Sequence, residues 1–188
     1  MEARTRRVVV AEFVSLDGVM EAPSWTAPYW NDEIAAFKGE ETSAAEALLL
    51  GRVTYEMFAA VWPTSTDEGA PVINALPKYV ASTTLGQADL DRTGWNARVL
   101  GGDVAEAVRA LKREPGGDLL VWGSAQLART LTEHGLVDEY RLLVYPVVLG
   151  SGKRLFGEER ADLQLVEARP FNSGATALVY RPDTRRAV

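Results

Sequence analysis

Residues 48–56, Leu48-Leu49-Leu50-Gly51-Arg52-Val53-Thr54-Tyr55-Glu56, pass from an apolar run through one glycine into helix-forming sequence. A strand that ends on glycine and enters a helix at once leaves the first N–H groups of that helix unpaired, at the positive end of its dipole. Arg52 adds a cation there and Thr54 a hydroxyl, a combination that suits a pyrophosphate. The same residues also read as an ordinary strand-to-helix turn with a surface arginine. The pattern recurs at Leu119-Leu120-Val121-Trp122-Gly123-Ser124-Ala125-Gln126-Leu127, where Ser124 stands in the position of an N-cap. Two such turns in one sheet, whose ligands collect at the carboxyl ends of its strands, favour a nucleotide. Neither has G-x-G-x-x-G spacing, and Gly150-Ser151-Gly152-Lys153 lacks the four-residue gap of a Walker loop, so Rossmann and P-loop assignments fail.

Outward from these turns, strands alternate with helices. Residues 7–14 are rich in β-branched side chains and predict a first strand, closed by Ser15-Leu16-Asp17-Gly18. Residues 21–30 contain Pro23 and Pro28 and read as loop. Asn31-Asp32 caps a helix running to about Glu46, residues 47–50 form a short buried strand, and a helix over 52–61 is stopped by Trp62-Pro63. A strand follows at 78–82. Over 103–113, Val104, Ala107, Val108 and Leu111 recur at helical spacing until Pro115-Gly116-Gly117. Residues 118–122 are a strand, 124–134 a helix ended by Gly135, and 139–149 a long buried strand. Strands at 163–169 and 175–181 form a hairpin through Asn172-Ser173-Gly174. The expectation is an α/β fold of three layers: a mixed, mostly parallel central sheet, flanking helices and a C-terminal antiparallel hairpin. Residues 1–188 read as one domain.

The 188 residues are 47% apolar and 24% charged, enough for one well-buried core. With no cysteine, disulfides, thiolate catalysis and cysteine-ligated metals are excluded. A single histidine leaves only carboxylates as further ligands, so no metal site is expected. The net charge of −6 opposes nucleic-acid binding. The apolar run after residue 7 is broken by Glu12 and Asp17, and no stretch approaches the roughly 20 apolar residues of a membrane span. A cytoplasmic protein with a small-molecule partner, and neither nucleic acid nor membrane, is the expectation.

Three further segments carry candidate chemistry. Ser82-Thr83-Thr84 follows a strand end, where hydroxyls bind a 2′-phosphate or ribose or simply make a turn. Trp25, Tyr29 and Trp30 precede Asp32 and Glu33. Aromatic walls beside an acid suit a flat heteroaromatic substrate, with burial raising the pKa of a proton-donating carboxyl such as Asp32. The alternative is that the aromatics anchor the loop and the acids favour the helix start. His134, beside Gly135, reads as a helix C-terminal residue rather than a catalytic base.

Ser15-Leu16-Asp17-Gly18, Gly51-Arg52-Val53-Thr54-Tyr55-Glu56, Trp122-Gly123-Ser124-Ala125-Gln126-Leu127, Gly135-Leu136-Val137-Asp138-Glu139, Tyr145-Pro146-Val147-Val148-Leu149-Gly150-Ser151-Gly152 and Leu155-Phe156 occur in this order. Over about residues 7–181 the chain resembles the dihydrofolate-reductase-like superfamily, specifically stand-alone proteins similar to the C-terminal reductase domain of bacterial riboflavin biosynthesis. The resemblance implies that fold, NADPH as cofactor, a reductase activity like that on 5-amino-6-(5-phosphoribosylamino)uracil, and a homodimer. It implies that Asp17 and Gly18 lie beside the nicotinamide and Asp17 also near substrate. Gly51, Arg52, Val53, Thr54 and Tyr55, with Gly123, Ser124, Ala125, Gln126 and Leu127, would hold the pyrophosphate, and Ser82, Thr83 and Thr84 would approach the adenosine phosphate. Trp25, Tyr29 and Trp30 are the candidate substrate walls. The expectation is a reductase without the deaminase domain that often precedes it, and Gly123-Ser124 stands where dihydrofolate reductases carry paired glycines. A ribose-phosphate site for substrate does not map onto its residues. Hydride transfer from NADPH to a small pterin-like or aminopyrimidine-like ring is therefore the leading expectation. A non-catalytic nucleotide-binding protein and an oxidoreductase binding FMN or FAD are its alternatives.

Overall fold

A computed structural model describes residues 5–157 and 160–183. Fourteen regular elements follow one another: β1 (Val8–Ser15), α1 (Asp32–Ser43), β2 (Ala45–Gly51), α2 (Arg52–Val61), α3 (Ala70–Ala75), β3 (Lys78–Ala81), α4 (Gln87–Thr93), β4 (Ala97–Leu100), α5 (Val104–Arg113), β5 (Asp118–Val121), α6 (Ala125–Glu133), β6 (Glu139–Tyr145), β7 (Leu163–Pro170) and β8 (Thr176–Pro182). The strands form one sheet in the order β4-β3-β2-β5-β1-β6-β8-β7. Its first six members are parallel, and β8 and β7 close it antiparallel. From β1 the chain winds outward to β4, returns to β5 between β2 and β1, and continues to β6. That reversal makes β5 the switch point of the sheet, with all six parallel strands ending at the same edge.

Period-two alternation divides the central strands between two cores. Val8, Val10, Leu49, Leu119 and Val121 face the cluster that includes Val108 of α5 and Leu131 of α6. Val9, Leu48, Leu50 and Leu120 face the cluster containing Tyr55 of α2 and Ile73 of α3. A third cluster, around Ile34 of α1, packs Leu143, Tyr145 and Phe171. Apolar runs buried on both faces are the signature of a parallel sheet covered by helices. Each fully buried leucine or valine contributes about 1.5–3 kcal/mol.

The three-layer α/β expectation holds, with local differences. The segment 21–30 contains a 3-10 helix, Pro23–Tyr29, in which the Thr26 hydroxyl donates to the Pro23 carbonyl at 2.7 Å. Helix α1 begins as predicted, the Asn31 side chain accepting from the Ile34 N–H, but ends at Ser43 rather than near Glu46. Glu46 instead joins β2, and its carboxylate pairs with Arg6 at 2.7 Å and with the Gly117 N–H. The strand over 139–149 stops at Tyr145, because Pro146 has no N–H for the ladder. It lies between β1 and β8, so it offers no free edge for pairing across a dimer; the edge strands are β4 and β7. Helices α3 and α4 and strand β4 were not predicted.

At the amino edge of the sheet lies a buried lysine. Lys78 is 1% exposed; its ammonium donates to the Asn74 carbonyl at 2.9 Å and sits 4.0 Å from the centre of the Trp95 ring. Burial lowers its pKa to about 8 from the ordinary 10.5. Between those values the unfolded chain holds a proton that the folded chain has lost, so stability rises with pH across that window. Thermal unfolding at pH 7.5, 8.5 and 9.5 should show this rise in the wild type and its loss in Lys78→Met; parallel curves for the two would remove the lysine as its source.

Candidate functional site

A cleft of about 1610 Å³ opens at the carboxyl edge of the sheet. Gly51, Ala81, Leu100 and Trp122, at or just beyond the ends of β2, β3, β4 and β5, all line it. Its volume exceeds the roughly 300–1,000 Å³ of a pocket for one small ligand. One end is formed by the turns that open α2, α5 and α6. The other lies between α1, which contributes Ala35, Ala36 and Gly39, and α2 with α3, which contribute Met57, Phe58 and Val72.

The two strand–glycine–helix turns are bonded to one another. The Gly51 N–H donates to the Ser124 hydroxyl at 2.8 Å, and the Ser124 N–H donates to the Thr54 hydroxyl at 3.0 Å. Ser124 occupies the N-cap position of α6, but its backbone is left-handed (φ 59°) and its side chain makes no cap bond. Its hydroxyl serves the opposite turn instead, which corrects the N-cap expectation. Gly123 is also left-handed (φ 56°), and a Cβ there would stand 3.1 Å from the Thr54 hydroxyl oxygen. Glycine meets both demands without strain. Arg52 is half-exposed at the mouth, 3.0 Å from Glu56.

The structure brings residues 51–54, 82–84 and 123–127 to the cleft, together with Trp30 and Asp32. Ser82 is turned inward on its own loop, its hydroxyl accepting from the Thr84 and Leu85 N–H groups. Five candidates lie elsewhere. The Tyr55 side chain is 2% exposed and turned into the core, where its hydroxyl shares a 2.6 Å hydrogen bond with Thr93. Trp25 and Tyr29 pack edge-on against Tyr145, at 5.6 and 5.8 Å between ring centres, so they anchor the loop rather than wall the cleft. The Asp17 carboxylate is taken by the Ser15 hydroxyl and the N–H groups of Leu149 and Gly150, which hold it below the usual carboxylate range. With neighbouring Gly18, whose carbonyl accepts from Leu155 at 3.1 Å, it ties the first loop to the segment after β6.

Asp32 lines the cleft but is exposed, so it lacks the burial expected of a proton-donating acid. That burial is found at Glu12, which sequence reasoning missed. Glu12 lines the cleft from the central strand β1 and is 6% exposed. Its Oε2 accepts from the Gly123 N–H at 3.0 Å, while Oε1 has no partner among the described residues. Burial pushes its pKa well above the ordinary 4.5, against the opposing pull of Lys38 and the Gly123 N–H. The Lys38 ammonium bonds Glu41 and lies 5.4 and 5.1 Å from the Phe13 and Trp122 rings. One acid in a strand that otherwise reads Val-Val-Val-Ala-x-Phe-Val was the available signal.

The model of the RibD C-terminal domain matches residues 6–177. The chain belongs to that family. It is similar to the uncharacterized protein YyaP of Bacillus subtilis (strain 168), 30% identical over 184 residues that cover 94% of this chain and 95% of YyaP. Among solved structures it superposes, with a TM-score of 0.67 and 16% identity, on a diaminohydroxyphosphoribosylaminopyrimidine deaminase/5-amino-6-(5-phosphoribosylamino)uracil reductase from Thermotoga maritima, covering 95% of this chain and 57% of that one. It also superposes on dihydrofolate reductase from Enterococcus faecalis, complexed with NADP(H) and RAB-propyl, with a TM-score of 0.63 and 14% identity over 94% of this chain and 96% of that one. The fold is therefore dihydrofolate-reductase-like.

Gly123→Ala should destabilise the protein by about 1–3 kcal/mol, through left-handed strain and the contact with Thr54; unfolding in urea measures it, and an unchanged midpoint would show that the turn can relax. For Glu12 the folded pKa lies above the unfolded one, so stability falls as pH rises through the interval. Glu12→Gln should thus gain melting temperature relative to the wild type on going from pH 5 to pH 8, whereas a constant difference would mean an unperturbed carboxyl.

Proposed function

We propose that the protein is an NADPH-dependent reductase that delivers hydride to a small heteroaromatic ring of the pterin or aminopyrimidine type. The observation that carries this reading is the pair of interlocked glycine turns, which aim the N-termini of α2 and α6 at one cleft. A helix N-terminus offers unpaired N–H groups and a positive dipole end to phosphate oxygens. Residues 51–54 and 123–127 would hold the pyrophosphate, with Arg52 supplying charge, and residues 82–84 would take the adenosine phosphate. The left-handed Gly123, with no side chain, leaves the backbone open to close approach. These residues fit the cofactor. When bound it supplies the hydride, and the protein supplies alignment and exclusion of water.

The acceptor belongs between α1 and α2, over the floor formed by Ala11, Glu12 and Phe13. Reduction of a C=N or C=O bond also consumes a proton. Glu12, whose burial raises its pKa, is better suited to hold that proton than the exposed Asp32. Membership in the RibD C-terminal domain family supports the same reading.

A homodimer remains part of this reading. Strand β7 is exposed along nearly its whole length and leaves Leu165 and Val166 about half accessible. An uncovered edge of that kind invites pairing with a second copy. Sedimentation as a monomer at micromolar concentration would overturn it.

Trp30, Trp62 and Trp122 line the cleft, so intrinsic fluorescence should respond to NADPH, and more weakly to NADH, which lacks the 2′-phosphate. Silence toward both removes the basis of the reading. Arg52→Ala should weaken NADPH by about tenfold, or ~1.4 kcal/mol, with little change in thermal stability because the side chain is on the surface; equal affinity would remove Arg52 from the phosphate site.

A further inference from the structure

The charges that line the cleft bear on which ring it accepts. Five carboxyl groups face it, from Glu12, Glu21, Asp32, Asp67 and Glu68, against three cations, Lys38, Arg52 and Lys153. Each of those cations is already paired with a carboxylate. Arg52 stands at the cofactor end, beside Glu56. The Lys38 side chain is 14% exposed, bonded to Glu41 and stacked against Phe13 and Trp122. Lys153 is 70% exposed and 3.1 Å from Glu21.

The helix starts at this end offer no substitute, and that of α3 follows the cleft-lining Asp67 and Glu68. The N-terminus of α1 carries Asp32 and Glu33 in its first turn, and the Asn31 side chain already accepts from Ile34. A group of charge near −2 at this end would meet like charges and find no bidentate donor. Two buried polar atoms of the cleft lining are also unsatisfied among the described residues: Glu12 Oε1 and the Trp122 indole N–H. A buried polar group without a partner is costly. Lining the same cleft, the Glu12 carboxyl and the Trp122 indole N–H together present a donor and an acceptor to a bound ring.

Building on the reductase reading, we infer that the chamber between α1 and α2 takes an uncharged or cationic, non-phosphorylated heteroaromatic ring whose neighbouring N–H and C=O groups pair with Glu12 and Trp122. The aromatic side chains of Phe13, Trp30, Phe58 and Trp122 supply flat apolar surface for the ring. Phosphoribosylated pyrimidines, the substrates named for the Thermotoga maritima protein, are disfavoured by the carboxyl groups around the rim.

Binding distinguishes this from the cofactor assignment. NADPH is titrated alone, and then pterin, uridine and uridine 5′-monophosphate are each titrated with and without saturating NADPH, by calorimetry. A failure of NADPH to bind counts against the cofactor reading, while the ring probes still report on the chamber. Pterin is expected to saturate, and the monophosphate to bind at least tenfold more weakly than the uncharged rings. Asp32→Lys should narrow that gap by reversing one rim charge. Glu12→Gln should weaken pterin at least fivefold while NADPH still binds saturably. Should that variant not fold, Trp122→Phe, which removes only the indole donor, is expected to weaken pterin at least threefold. The inference is overturned if the monophosphate binds within tenfold of pterin, if pterin does not bind saturably, or if the folded Glu12 variant retains pterin affinity within fivefold.

Discussion

The cleft depends on the reciprocal hydrogen bonding of two turns that lie 70 residues apart in the chain. The Gly51 N–H reaches the Ser124 hydroxyl and the Ser124 N–H reaches the Thr54 hydroxyl. Each bond satisfies a backbone donor that a strand end would otherwise leave unpaired beside the cleft. Together they fix the openings of α2 and α6 relative to one another. The register that brings them together is set by the sheet, where Leu48 pairs with Leu120 and Leu49 with Val121. Burial of leucine and valine on both faces of these strands therefore positions the polar contacts above them, and the turns inherit the precision of the core.

The opposite edge of the sheet is held by charge. Asp118 and Glu139, the first residues of β5 and β6, are 5% and 3% exposed. Arg7 joins them, bonding Asp118 at 2.6 Å and Glu139 at 3.2 Å, while Arg141 and Arg181 add further contacts to Glu139. Burial alone would raise the Glu139 pKa, but the hydrogen bonds from Arg141 and Arg181 hold it below the ordinary value. Such a network is favourable only because each buried carboxylate has several cationic donors. The cleft thus lies at the carboxyl edge, while the amino edge fastens the strands.

The sequence made legible those parts of the fold that depend on local pattern. The apolar runs at β1, β2 and β5, the helical spacing in α5, the Asn31 cap and both glycine turns follow from residues close in the chain. Helix α4 was not legible because Gln87-Ala88-Asp89-Leu90-Asp91-Arg92-Thr93 buries only Leu90 and so carries no apolar period. Strand β4 has four residues, none fully buried. At the site, aromatic composition could not separate Trp30, which reaches the cleft, from Trp25 and Tyr29, which pack on Tyr145. The distinction is tertiary. Asp17 illustrates the same limit, since its partners, Leu149 and Gly150, lie more than 130 residues away. The unusual acid in β1 was visible as a residue, but only its burial near Lys38 and the Gly123 N–H reveals its setting.

The bond between Glu12 and the Gly123 N–H joins the floor of the cleft to the turn that opens α6. That N–H is one of the two interactions that favour the ionised carboxyl, the other being Lys38. Any ligand that drew the N–H toward itself would leave the carboxyl holding its proton more tightly. By reciprocity, a protonated Glu12 would release the N–H more readily to the ligand. Occupancy of one end of the cleft and proton content at the other are therefore thermodynamically linked through a single peptide group, without movement of a domain or a helix.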